Sequence, residues 1–399
     1  MLLLALLLWL VTPRLPLFDF TLFWKALEHL VNGHNPYSLP PYSSFVDADL
    51  RAVSPSGISL PSLSSPAALG LFWFFGKLPM EAAKDVYQFI MCLAFCWTAW
   101  LGYRMVARER VAGAFRGRIL FLLALPLGLF YQAMIWGSVT LFCLIAICAL
   151  ILLRDSKRVF WTGFILALCC IKPHLFILLF LYVALWSRAN RVLSLAFGFF
   201  SALGSMLATG LYFQPALLRM YYDVFRQGLP FNALTNASMG SIVFDIFGRN
   251  CLAGMFIPLI VGCLALLLWM HRRGTGHFAL VSVCILPWSI LLSPYSWGHD
   301  YVVCFPVGFL LAAYHKRNVR EGHRTHAAVS LSLLALIFVC NLISPAFSRQ
   351  WMFVAFGFLY AAAAALLLFD ASRCYSKPSG ALICGDAEPA AGRQLGQSG

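Results

Sequence analysis

From its N-terminus the chain alternates long apolar runs with short polar connections, and one early stretch departs from that pattern by having two faces. Asp19 to Tyr37 reads DFTLFWKALEHLVNGHNPY. Phe20, Phe23, Trp24, Leu27, Leu30 and Val31 recur at three- and four-residue spacing, with Thr21, Lys25, Glu28, His29 and Asn32 between them. The spacing predicts an amphipathic helix over residues 20–32, its apolar stripe suited to lying along a membrane surface. Asp19 stands just before the first turn, where an N-cap is expected, and Gly33 is placed to stop the helix.

The apolar runs themselves predict spanning helices. Met1–Thr12 is the first; it lacks the basic start and small-residue cleavage site of a signal peptide. Further runs lie at Val86–Val106, Ile119–Ile135, Val139–Leu153, Phe160–Ile171, His174–Trp186 and Val192–Tyr212. The remainder are Cys251–Met270, Phe278–Leu292, Tyr301–Tyr314, Ala327–Ile343 and Trp351–Phe369. Pro66–Pro79 is apolar but too short to cross, and reads as a juxtamembrane or re-entrant segment. The expected fold is therefore all-α: a polytopic transmembrane bundle of about 12 spans with an external juxtamembrane amphipathic helix. Residues 1–371 form one multi-span domain that includes an external loop at 13–84. Residues 372–399, rich in Gly, Ala and Ser, read as a disordered cytoplasmic tail.

Composition agrees. Hydrophobic residues make up 61% of the chain and charged ones 11%, and mean hydropathy is +0.81. Net charge is +14, which in a soluble protein would suggest nucleic acid. Here the cations sit in short loops, with no arginine–aromatic groove, so nucleic acid is set aside. Most of the 29 Lys and Arg fall in one alternating set of connections: Arg104–Arg118, Arg154–Arg158, Arg188–Arg191, Arg272–Arg273, Lys316–Arg324 and the tail. That set is read as cytoplasmic, which puts both termini inside a plasma membrane. The 13 Cys lie mostly within apolar runs and contain no CxxC pair, so they read as small buried residues.

Orientation has a chemical consequence. Asp19, Trp136, Lys172, the Tyr212–Asn250 loop and the Ser293–Asp300 loop all fall on the external side. Asp19 can be a helix cap, or a general base that takes a proton from a hydroxyl nucleophile. Lys172, in CIKPHLF, is either an interfacial lysine snorkelling to water or a cation for a phosphate, and Pro173 frees backbone groups beside it. His299, in SPYSWGHDY, sits in an aromatic-belt loop or serves as proton carrier or phosphate donor, with Asp300 beside it. Asn236 and Ser238 lie in an external loop downstream of Arg219 and Arg226, and NAS also matches a glycosylation pattern. Asp47-Ala48-Asp49 has the DxD spacing of metal-dependent nucleotide-sugar enzymes, yet lies on the wrong side for a nucleotide sugar. No metal is expected.

In order, D-F-x-x-F-W-K-A-x-x-x-L-V-N-G-H-N-P-Y, Ser65-Pro66, Trp136-Gly137, Lys172-Pro173, Asn236-Ala237-Ser238 and Ser293-Pro294-x-Ser296-Trp297-x-His299 cover most of the chain. The set resembles the GT-C superfamily of membrane glycosyltransferases, and within it the α-(1→2)-mannosyltransferase-like glycosyltransferase family 87. Where that family often has Gly-Gln at the external turn, this chain has Trp136-Gly137-Ser138. The resemblance implies an inverting transfer of a hexose, mannose in the best-known case, from a polyprenyl-phosphate donor to a lipid or glycan acceptor. Asp19 would be the base and His299 its catalytic partner. Lys172, His174 and Arg226 would hold the donor phosphate, and Tyr37, Asn236, Ser238 and Trp297 the sugars. No cofactor is implied. A transporter or flippase of lipid-linked sugars is the competing class; it predicts paired broken helices related by an internal repeat, and the two halves show none.

Overall fold

A computed structural model of the 399-residue chain describes residues 2–38, 64–107, 127–152, 158–186, 189–226, 238–243, 254–273, 278–343 and 350–375, apart from positions 13, 16, 241, 255 and 295. Among the described residues the elements are helical, with no β-strand. α1 (Leu2–Val11) precedes the amphipathic α2 (Phe18–Val31), the short α3 (Pro66–Leu71) and the long α4 (Met80–Ala107). α5 (Leu127–Trp136) and α6 (Thr140–Leu152) meet at a tight turn. α7 (Val159–Ala167) and α8 (Ile177–Trp186) form one interrupted path, and α9 (Ala189–Phe213) leads to α10 (Leu217–Arg226). The last third carries α11 (Ile257–Arg273), α12 (Phe278–Leu291), α13 (Phe305–Glu321), α14 (Arg324–Ile343) and α15 (Gln350–Tyr375).

Among the described residues three helices are long and apolar enough to cross a membrane: Val192–Phe213 within α9, all of α14, and Met352–Phe369 within α15. Their outer faces are apolar and bare, with Leu193 81% exposed, as lipid-facing helices require. Two of the other expected runs are interrupted. The run expected at Phe160–Ile171 breaks into a 3₁₀ turn at Leu168–Ile171, and a second follows at Pro173–Leu175. The run expected from Tyr301 begins as a 3₁₀ turn, Gly298–Cys304, and becomes α-helical only at Phe305. Regular helix stops where polar side chains turn inward.

α13 is the central strut; from Phe305 to Tyr314 every residue is buried. α7 and α9 cross backbone to backbone, because a Cβ on Gly163 would lie 2.1 Å from the Leu195 carbonyl oxygen and one on Gly198 would lie 2.0 Å from that of Phe160. The segment Pro66–Pro79 forms α3 and a 3₁₀ turn at Trp73–Lys77, neither of spanning length. Ser65 caps α3 by accepting from the Ala68 N–H, Pro66 starts the helix, and the Ser65 hydroxyl donates to the Cys170 carbonyl at 2.8 Å.

α2 rests on this frame. Its stripe, expected to meet the membrane surface, is buried in protein: Phe20, Phe23, Leu27 and Leu30 are all buried. Phe20 packs edge-on against Phe75 and stacks on Tyr87 at 4.0 Å, and Phe23 meets Phe72. The aromatic segment 72–75 supplies a protein partner for a stripe that would otherwise need lipid. The Trp24 indole N–H donates to the Leu78 carbonyl at 3.1 Å. At the far end Gly33 adopts a left-handed φ of +74°, closing the helix as expected, and the Gln214 amide donates to the Gly33 carbonyl at 2.9 Å. The helix is thus held along its length.

Candidate active site

The start of α2 differs from the expected capping arrangement in a way that matters. Asp19 is not the N-cap. That position belongs to Leu17, in a left-handed conformation (φ 49°) with no side-chain cap, and Asp19 stands inside the first turn. Its carboxylate is released from capping, and 41% of its side chain remains open. A left-handed leucine costs about 1–2 kcal/mol, so the surroundings must hold it.

They do so through the α5–α6 turn. Gly137 takes a φ of +66°, and a Cβ there would sit 2.6 Å from the Phe20 Cβ and 3.2 Å from the Leu17 Cβ. The Tyr87 hydroxyl donates to the Gly137 carbonyl at 3.0 Å while its ring stacks under Phe20. Gly137→Ala combines left-handed strain with a clash against α2. It should lower the melting temperature in detergent and the turnover rate together, as Asp19 moves with its helix. Wild-type stability and rate would show that the contact is slack.

Lys172 joins the two 3₁₀ turns that interrupt the α7–α8 path, and Pro173 after it has no N–H to continue a helix. The ammonium donates to Asp300 Oδ1 at 2.7 Å. The same oxygen accepts from the Thr140 hydroxyl at 2.5 Å, and Oδ2 accepts from the Trp297 backbone N–H at 2.9 Å. His299 Nε2 lies 3.5 Å from Asp19 Oδ2 and 3.8 Å from Asp300 Oδ1. Its imidazole lies parallel to the Trp297 indole, with centroids 6.3 Å apart, and 6.3 Å from Trp136 on a 26° tilt. Residues from the first, middle and last thirds of the chain meet in one string: Asp19, His299, Asp300, Lys172.

The charges are unequal. Although part of its side chain stays open, the apolar surroundings of the Asp19 carboxyl push it up to about 7; the Lys172 ammonium opposes that shift, and Asp300 adds to it. Burial pulls the His299 imidazole down to about 4, so it is neutral near pH 7. Asp300 is held well below its ordinary range: burial opposes ionisation, but the Lys172 ammonium and the hydrogen bonds from Lys172 and Thr140 outweigh it. Two carboxyls with pKa values pushed apart make one standing anion and one group able to take a proton near neutrality. An ammonium beside them suits a departing anion.

Other expected site residues lie elsewhere or serve differently. Tyr37 is buried against Tyr221, 5.4 Å between rings, at the opposite end of α2 from Asp19. A 14-residue helix is roughly 20 Å long, so the structure does not bring Tyr37 to Asp19. His174 follows Lys172 directly, in the Pro173–Leu175 turn. Ser238 is buried, and its hydroxyl donates to the Pro294 carbonyl at 3.4 Å, bracing the loop that carries Trp297 and His299. Arg226 ends α10. Asn236, Asp47 and Asp49 lie outside the described residues. Sequence reasoning gave Asp300 no role of its own and overlooked Thr140 and Tyr87. A signal existed for Asp300: it is one of only 15 acidic residues and stands at the mouth of an apolar run.

A family model described as glycosyltransferase family 87 matches residues 64–294, more than half of the chain. The matched segment contains Trp136, Lys172 and His174; Asp19 and His299 lie on either side of it and reach Lys172 through the fold. Comparison with curated proteins and with solved structures finds no match.

Proposed function

Because the chain belongs to glycosyltransferase family 87, we propose that it transfers a hexose, mannose first among candidates, from a polyprenyl-phosphate donor to an acceptor hydroxyl with inversion at the anomeric carbon. The chain is a membrane glycosyltransferase. The observation that carries the finer reading is the string from Asp19 through His299 and Asp300 to Lys172.

Asp19 is the general base. The acceptor O–H bond breaks, its proton passes to Asp19 Oδ2, and the oxygen's electron pair forms the new bond to the anomeric carbon. The bond to the phosphate oxygen breaks on the opposite face, and polyprenyl phosphate leaves with that electron pair. Lys172 gives one donor to Asp300; an ammonium has three, and 17% of its side chain is open. The remaining donors face the leaving phosphate, with His174 beside them. His299, neutral and near the Trp136 and Trp297 indoles, orients Asp19 and offers a route for its proton, while Trp297 walls the sugar site.

In the same reading residues 1–371 form one domain of about 12 spans, with both termini cytoplasmic and the site on the outer face of the plasma membrane. The test uses membranes carrying the full chain, supplied in turn with radiolabelled polyprenyl-phosphate sugars and with nucleotide sugars. Label should move from polyprenyl-phosphate mannose into a lipid or glycan product. Transfer from a nucleotide sugar alone would overturn the donor class.

A further inference from the structure

Asp300 is wholly buried, with 0% of its side chain exposed, and both of its oxygens are engaged. The donors come from three separate places: Lys172 in the interrupted α7–α8 path, Thr140 at the first residue of α6, and the backbone N–H of Trp297 in its own turn. A buried ion pair is weak support for a fold, since apolar pairs of similar volume are often as stable. This arrangement does something an apolar pair would not. It fixes the direction of the Lys172 ammonium and closes the Trp297–Asp300 turn, and that turn sets where the His299 ring points.

We propose that Asp300 is a positioning residue for transfer: it clamps the Lys172 ammonium and the Trp297–His299 turn in one geometry facing Asp19. The inference rests on the reading of Asp19 as the base. Asp300 touches no reacting atom; it acts through its neighbours and through its fixed charge. The titratable groups that face this carboxylate and Asp19 are Lys172 and His174 from the α7–α8 interruption, Cys143 from α6, Tyr87 from α4, and His299 and Tyr301 from the turn itself. Among them Asp300 is the negative charge that helps Asp19 keep its proton. Asp300→Asn removes that negative charge, while the asparagine side-chain oxygen can still accept from the Lys172 ammonium. The variant's Asp19 therefore ionises at lower pH.

The experiment compares wild type, Asp300→Asn, Thr140→Val and Asp19→Asn as full-length chains in detergent, with polyprenyl-phosphate mannose as probe and folding checked by thermal melting. Asp300→Asn should lower the rate by about 10–100-fold, the range usual for a group that orients a functional one, and should move the acid limb of the pH–rate profile to lower pH. A wild-type rate, or a lower rate with the limb unmoved, overturns the proposal; the latter is what a purely structural role would give. If Asp300→Asn does not fold, Thr140→Val decides. It removes one hydrogen bond and leaves the charge, so it should lower the rate severalfold with the limb and the melting temperature both unmoved; a wild-type rate, or a loss of rate that follows a loss of stability, sinks the proposal. Asp19→Asn separates the two ideas. Transfer by that variant defeats the base assignment, whereas a dead Asp19→Asn beside a wild-type Asp300→Asn defeats only the positioning role.

Discussion

Asp19→Asn lowers the rate of transfer by about 10²–10⁴, the span associated with loss of a general base, and leaves folding and donor binding intact. The amide has nearly the shape of the carboxyl and cannot take the proton. Because 41% of the Asp19 side chain is open and it caps no helix, the change removes no hydrogen bond that holds the chain together. The wild-type enzyme supplies its own control through pH. With the Asp19 carboxyl pushed up to about 7, activity rises as pH is raised through neutrality, because the ionised form is the one that accepts a proton. Stability runs the other way. An acid whose pKa is higher folded than unfolded favours the fold below its ordinary value of 3.8 and loses that favour as pH rises from there through about 7. Asp19→Asn should therefore melt like wild type at pH 4 and no lower than wild type at pH 8. Transfer at a near wild-type rate by the variant would remove Asp19 from the mechanism.

Lys172→Ala produces the second large effect, in two parts. It strands the Asp300 carboxylate in a buried site, and breaking such a pair by removing one partner costs about 3–5 kcal/mol. It also takes the cation from the leaving phosphate, so donor affinity falls more than acceptor affinity. The double variant Lys172→Ala/Asp300→Asn tells these apart. With both charges gone the fold recovers much of its stability, while donor affinity stays low. Donor binding measured at equilibrium is the decisive quantity, and an unchanged affinity in a well-folded double variant would exclude Lys172 from the phosphate site.

Much of this centre could be read from the residues in order. The α2 stripe, the Gly33 stop, the break at Lys172-Pro173 and the loop around His299 each carry a local mark: helical spacing, a turn residue, or a charge in an apolar run. What escaped was pairing at a distance. Thr140 and Asp300 are 160 positions apart, and nothing in TLFC or GHDY announces that they share a hydrogen bond. The same limit misdirected two local readings. Asp19 has the sequence context of an N-cap, but the close approach of Gly137 to Leu17 and Phe20 starts the helix one residue before it. The α2 stripe has the pattern of a membrane-surface helix, but Phe72, Phe75 and Tyr87 provide a protein face that the pattern cannot reveal. Two of the expected runs are broken for a related reason. Hydropathy counts apolar residues and is blind to 3₁₀ turns such as Leu168–Ile171 and Gly298–Cys304, which aim side chains instead of extending a helix.

The Lys172–Asp300 bond can form only late in synthesis. The ribosome makes the cation 128 residues before the anion that neutralises it, so a half-finished chain carries a stranded ammonium beside the bilayer, a costly place for a lone ion. Fragments ending ahead of residue 300 hold half of a lock whose key has not yet been translated.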